Sequence, residues 1–148
     1  MAKTSEKKIH LGEILVVEDN PNNLKLLVSM LAAEGYQVRP ANSPQLALDS
    51  VKTWVPDLIL LDVRMPVMDG YEVCKRLKES KHTCEIPIIF VSAQKNLEDQ
   101  IKGFEVGGVD YITKPIRREE VLARVRTHIS LYRMQVNLEH LVQARTSE

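Results

Sequence analysis

The sequence predicts an α/β domain, a doubly wound five-stranded parallel sheet with five helices, the last of them extended. Three observations predict it. Ile14-Leu15-Val16-Val17 and Leu58-Ile59-Leu60-Leu61 are unbroken apolar runs, as in strands buried on both faces. Segments with helical apolar spacing alternate with such runs over about 110 residues. Each of several runs stops abruptly at a polar residue: Glu18-Asp19, Asp62, Ser92 and Lys114.

The elements follow in order. After the first strand, Asn20-Pro21 supplies an N-cap and a proline at the first helical position, and Leu24, Leu27, Val28 and Leu31 recur at helical spacing up to Gly35. Tyr36 to Ala41 is the second strand. Ser43-Pro44 opens a second helix through about Trp54, and Pro56 precedes the third strand. Gly70 to about Glu79 reads as the third helix. Ile86 to Val91 is the fourth strand, ending in Ser92. Asn96 caps a fourth helix with Glu98 and Asp99 in its first turn, where the helix dipole favours negative charge. Leu97, Ile101 and Phe104 give that helix an apolar stripe expected to face the core. Gly107-Gly108 ends it, Val109 to Thr113 is the fifth strand, and the last helix starts near Arg118.

Composition narrows the function classes. At 148 residues the chain has the size of one domain with a self-sufficient core. Lys plus Arg and Asp plus Glu number 20 each, so bulk charge argues against direct nucleic-acid or membrane-surface binding. Cys74 and Cys84 read as reduced thiols, and the polar first eight residues carry no export signal, so a cytoplasmic protein is expected. Cys74 shares a helical face with Val73 and Leu77 and reads as core. The four histidines, His10, His82, His128 and His140, share no zinc spacing with the cysteines. Trp54 is expected to be partly buried. Arg117, Arg118, Arg124, Arg126 and Arg133 read as a solvated helix face.

Ligands of open parallel sheets bind beyond the carboxyl ends of the strands. There the chain would bring together Glu18, Asp19, Asp62, Ser92 and Lys114. Three carboxylates against one ammonium leave a surplus of negative charge, and all-oxygen ligands suit Mg²⁺. The metal and Lys114 would then clamp a phosphoryl group, Ser92 would donate a hydrogen bond, and Asp62 would act as nucleophile.

The stretches ILVVEDNPNN, PDLILLDVRMPVMDG, IPIIFVSA and GGVDYITKP resemble the receiver domain of bacterial two-component response regulators. The resemblance implies a flavodoxin-like sheet of order 2-1-3-4-5 and a phosphoryl group accepted on Asp62 from a histidine kinase or phosphotransfer protein. It implies Mg²⁺ held by Glu18, Asp19, Asp62 and the backbone carbonyl of Arg64. It casts Ser92 and Tyr111 as switch residues, with Tyr111 turning inward on phosphorylation, and Lys114 as the phosphate partner, its peptide to Pro115 being cis. Arg64 and Gln94 stand where the family tunes the lifetime of the acyl phosphate. The implied protein is a phosphoacceptor that assists its own phosphotransfer and dephosphorylation rather than a turnover enzyme. An Asp-nucleophile phosphatase of the haloacid-dehalogenase type needs a second acid two residues on, where Arg64 stands. A phosphorylation-independent interaction module is the other alternative.

The helical pattern runs on to about Arg145. Residues 12–130 are assigned to the receiver and 131–148 to a coiled-coil-like helical extension. In it Leu131, Met134, Leu138 and Leu141 step as two short heptads, which predicts a weak homodimer through the last helix. Such extensions resemble those joining receivers to output domains, cyclic-nucleotide enzymes and metal-dependent phosphodiesterases among them.

Overall fold

A computed structural model describes residues 11–147, with side chains to residue 142. The polar first eight residues and His10, and Glu148 at the end of the extension, lie outside the described residues. The elements are β1 (Glu13–Val17), α1 (Pro21–Glu34), β2 (Gln37–Ala41), α2 (Pro44–Ser50), β3 (Leu58–Asp62), α3 (Gly70–Glu79), β4 (Ile88–Ser92), α4 (Leu97–Glu105), β5 (Asp110–Thr113) and α5 (Arg118–Ser147). All strand pairings are parallel and the order is β2-β1-β3-β4-β5. This is the expected doubly wound sheet.

Alternation along the strands divides the core in two. Leu15, Val17, Ile59, Leu61, Ile88 and Phe90 face α2 and α3, where Ala47, Val73, Cys74 and Leu77 meet them. Ile14, Val16, Leu58, Leu60, Ile89, Val91 and Ile112 face Leu27 and Leu31 of α1 and Val121, Val125 and Ile129 of α5. β3 and β4 are buried along their whole length, which is why their sequences are apolar without alternation. Capping follows the sequence signals. The side chains of Asn20, Ser43, Asp69 and Asn96 each accept a hydrogen bond from the backbone three residues on. Gly35 ends α1 at φ 116°, a left-handed conformation that glycine adopts without strain. Among the described residues no helix is long and apolar enough to cross a membrane.

Several boundaries move. β2 starts at Gln37 because the Tyr36 N–H still bonds Leu31 of α1. β4 starts at Ile88 rather than Ile86, since Pro87 has no N–H to give the ladder; its carbonyl accepts from Ile59. α2 closes at Ser50 in a turn, so Trp54 stands beyond the helix, partly buried, with the Arg39 guanidinium 4.3 Å from its ring centroid. Cys74 is buried as expected, and the two thiols are free. Of the arginines, Arg118, Arg124 and Arg133 pair with Glu34, Asp110 and Asp57.

The fourth helix corrects a larger expectation. Leu97, Ile101 and Phe104 point outward, 69, 46 and 50% exposed, and only Gly103 of α4 is buried. The helix seats itself through that glycine. A Cβ there would come 3.0 Å from the Phe90 ring and 3.2 Å from that of Tyr111. The volume between α4 and the sheet is filled by the two aromatic rings, 6.2 Å apart at their centroids, and not by the helix's own stripe.

Candidate functional site

The carboxyl ends of β1, β3, β4 and β5 bring the expected groups together. β1 hands over to Glu18 and Asp19, which precede the Asn20 cap of α1; β3 ends on Asp62, β4 on Ser92, and Lys114 follows β5. Glu18, Asp62 and Ser92 are buried, and Asp19 is more open to solvent. The Lys114 ammonium bridges the two buried acids, 3.1 Å from Glu18 Oε1 and 3.2 Å from Asp62 Oδ1. The peptide between Lys114 and Pro115 is cis, as the resemblance implied.

The charges are unevenly settled. Burial pushes the Asp62 carboxyl up to about 7; the neighbouring Glu18 charge adds to this, and the Lys114 ammonium opposes it. Burial alone would lower Lys114, but the carboxylates of Asp62 and Glu18 outweigh it and hold the ammonium above its ordinary range. One carboxylate oxygen from each of Glu18, Asp19 and Asp62 lies within 4.8 Å of the others. Two ligands across an octahedral Mg²⁺ are separated by about 4.2 Å. Glu18 Oε1 is buried and accepts no hydrogen bond, its one partner being the ionic contact with Lys114. An all-oxygen donor set with surplus negative charge and an under-satisfied buried oxygen fits a hard divalent cation.

The hydroxyl of Ser92 accepts from the Gln94 N–H at 3.1 Å, which leaves its proton as a donor. Tyr111 is already inside, 7% exposed, with its hydroxyl buried and without a hydrogen-bond partner. The expected inward turn of this ring therefore starts from an inward ring here. Arg64 is exposed, and its guanidinium meets the Gln94 amide oxygen once the amide is turned to pair acceptor with donor.

Some features of the site escape sequence reasoning. Past Asp62 a cavity of about 530 Å³ is lined by Val63, Arg64, Asp69, Tyr71, Gln94, Asp99 and Lys102 among others, with none of the three acids in its wall. The Tyr71 hydroxyl donates to the Asp99 carbonyl, and Lys102 stands 4.9 Å from the Tyr71 ring centroid. Their one sequence signal is position, on α3 and α4 just past the strand ends. In the loop after Asp62, Val67 has φ 74° and is fully exposed, a conformation β-branched residues rarely adopt.

Comparison with known proteins agrees with this arrangement. Response regulator PleD of Caulobacter vibrioides is 42% identical over 136 residues, covering 92% of this chain and 29% of PleD. A probable cyclic di-GMP phosphodiesterase of Vibrio cholerae is 41% identical over 116 residues, 78% of this chain and 26% of that protein. The chain thus spans less than a third of the length of these two relatives. A putative response regulator from Chloroflexus aurantiacus, known from its crystal structure, superposes with TM-score 0.78 at 34% identity, covering 80% of this chain and 98% of that one. The family described as response regulator receiver domain matches residues 14–126, and the chain belongs to that family.

Proposed function

We propose that this receiver takes a phosphoryl group from a histidine kinase or phosphotransfer protein onto Asp62, with Mg²⁺ as cofactor, and that the change of charge controls an output domain or partner. The observation that carries the reading is the Lys114 bridge between Glu18 and Asp62 beside Asp19, at the carboxyl edge of the sheet. Glu18, Asp19 and Asp62, with the carbonyl of Arg64, would hold the metal. When bound, it neutralises the incoming phosphoryl oxygens.

The chain's own groups do the rest. A carboxylate oxygen of Asp62 attacks phosphorus, the phosphorus–nitrogen bond of the donor breaks, and its electron pair stays on the imidazole. Asp62 must be ionised to attack, and the Lys114 ammonium favours that form. Once Asp62 is phosphorylated, Lys114 exchanges its carboxylate contact for a phosphoryl oxygen, and the Ser92 hydroxyl turns its proton to another. Movement of Ser92 changes the space beside Tyr111, whose unpartnered hydroxyl makes its buried position costly. Two settings of Ser92 and Tyr111 would bias the surface of α4, β5 and α5. Arg64 and Gln94 would set how freely water reaches the acyl phosphate.

The chain is read as an acceptor and not a turnover enzyme, since Arg64 takes the place where an Asp-nucleophile phosphatase needs an acid. A cytoplasmic setting fits a kinase donor. The name of one relative, a probable cyclic di-GMP phosphodiesterase, and the continuous α5 support an output domain in a longer signalling protein, with cyclic-dinucleotide turnover as one candidate class.

The test is incubation with Mg²⁺ and acetyl phosphate followed by mapping of the modified residue. Labelling should fall on Asp62 and disappear in Asp62→Asn. Undiminished labelling of the variant would overturn the assignment.

A further inference from the structure

The helices differ in how they are held. α1, α3 and α5 each bury several apolar side chains. α5 adds two polar contacts past Ile129: Arg133 lies 3.7 Å from Asp57, and the Gln135 amide donates to Glu85 at 2.9 Å. α4 buries only Gly103, and its apolar side chains face outward. Contact through a glycine removes little apolar area from water, so this helix depends on other contacts for its seat.

α3 supplies them from one face. Tyr71 and Cys74 stand three residues apart and reach the two ends of α4. The Tyr71 hydroxyl donates to the Asp99 carbonyl at 2.9 Å, in the first turn. The Cys74 thiol lies 3.4 Å from the Val106 carbonyl at the C-cap. Of the two bonds the phenol's is the shorter and has the better donor, a thiol being a weak one. Lys102 of α4 sets its ammonium over the face of the same Tyr71 ring. Burial first, then Tyr111 and the Asp99 charge, hold the Tyr71 phenol above its ordinary range, so it keeps its proton and stays a donor.

The tether lies beside the aromatic switch. Asp99 precedes Gly103 by one turn on the same face of α4, and Gly103 covers the rings of Phe90 and Tyr111. Tyr71, Phe90 and Tyr111 form a row beneath the helix, with successive centroids 5.2 and 6.2 Å apart. Tyr111 lies inside although its hydroxyl finds no partner, so its inward setting depends on the cover above it. The cavity bordered by Tyr71, Asp99 and Lys102 leaves the first turn of α4 room to shift once untied.

We propose that the Tyr71 hydroxyl is a positioning group for the switch: tying down the first turn of α4 keeps Gly103 over Tyr111 and favours the inward setting of that ring. In the phosphoacceptor reading of Asp62, on which this rests, the inward setting goes with the phosphoryl group. By linkage Tyr71 then strengthens the hold of the site on that group.

Amide hydrogen exchange of the whole chain, without metal or phosphodonor, compares the wild type with Tyr71→Phe, which keeps the ring and removes the donor. Exchange in α4 should quicken about five- to tenfold, with α1 and the packed part of α5 unchanged. A uniform rise across all helices would mark a merely structural residue and overturn the proposal, as would no change in α4. With Mg²⁺ present, beryllium fluoride, a stand-in for the phosphoryl group, should bind Tyr71→Phe several-fold more weakly than the wild type, while Mg²⁺ alone binds both equally. Equal affinity for beryllium fluoride would also overturn it. Failure of the wild type to bind beryllium fluoride would instead sink the phosphoacceptor reading. The exchange comparison is made without that ligand and still decides whether Tyr71 seats α4.

Discussion

Gly70 lies so close against Asp62 that a Cβ on the glycine would overlap the aspartate's carbonyl oxygen. The Gly70 N–H also donates to the Val63 carbonyl at 2.8 Å, tying the start of α3 to the chain just past Asp62. Backbone cannot yield as a side-chain tip can. Gly70→Ala should therefore cost about 2–3 kcal/mol or more, seen as a lower urea midpoint at an unchanged slope. Gly103→Ala meets a Phe90 ring carbon at 3.0 Å, which can shift, and should cost less. Equal losses at both sites would contradict this account.

Asp19 is the most accessible of the three acids. Asp19→Ala should weaken Mg²⁺ binding at least about tenfold and slow labelling by acetyl phosphate in proportion. It should leave the melting temperature level or higher without metal, because one of three crowded negative charges is gone. A Mg²⁺ titration unchanged in the variant would place the metal elsewhere.

The raised Asp62 carboxyl has a consequence for stability. It titrates near 7 in the folded protein against 3.8 for an unperturbed aspartate. Between those values the folded chain keeps a proton that the unfolded chain has lost, so stability falls as pH rises through this window and levels off above it. Asparagine mimics the protonated form. The melting temperature of Asp62→Asn should match the wild type near pH 4 and exceed it increasingly up to pH 7, both without metal. Adding Mg²⁺ should stabilise the wild type more at pH 8 than at pH 5, since metal and proton compete for one carboxylate. A pH-independent difference between the two proteins would show that Asp62 is not the titrating group.

Val67 gives a prediction of unusual sign. Replacing an exposed loop residue by glycine ordinarily lowers stability, through the greater freedom of the unfolded chain. Here φ is 74° and the side chain packs on nothing, so removing Cβ relieves about 1–2 kcal/mol of backbone strain. Val67→Gly should be neutral to about 1 kcal/mol more stable, by chemical denaturation. A loss of that size instead would mean that valine carries no strain there.

The sheet was legible because β1, β3 and β4 are buried on both faces and so are written as unbroken apolar runs. The site was legible because those runs end on charged or hydroxyl residues, and topology alone carries such ends to one edge. The fourth helix was misread for a physical reason. Leu97, Ile101 and Phe104 have the spacing of a core stripe, but spacing fixes only which residues share a face and not which face meets the sheet. The glycines near α4 held the contrary signal: a Cβ on Gly103 or Gly108 would crowd the Phe90 ring. The strained Val67 left no trace, because nothing in a valine announces a positive φ. The inward setting of Tyr111 depends on the room that Gly103 leaves, a property of two segments and not of one.

The two polar contacts that hold α5 beyond Ile129 sit at the feet of the strands that end on Asp62 and Ser92. Asp57 immediately precedes β3, which ends on Asp62, and Glu85 lies shortly before β4, which ends on Ser92. Each five-residue strand is thus a short strut with a buried polar side chain at its head and an attachment for the helix at its foot. A helix rising 1.5 Å per residue extends about 25 Å from Ser130 to Ser147. A tilt of about 5° at the feet displaces its far end sideways by about 2 Å, about two-fifths of the 5.4 Å pitch of the helix. In this geometry the two strands are struts at the foot of a lever, and any tilt there would reach the helix's end undiminished, since no glycine or proline stands between Ile116 and Ser147.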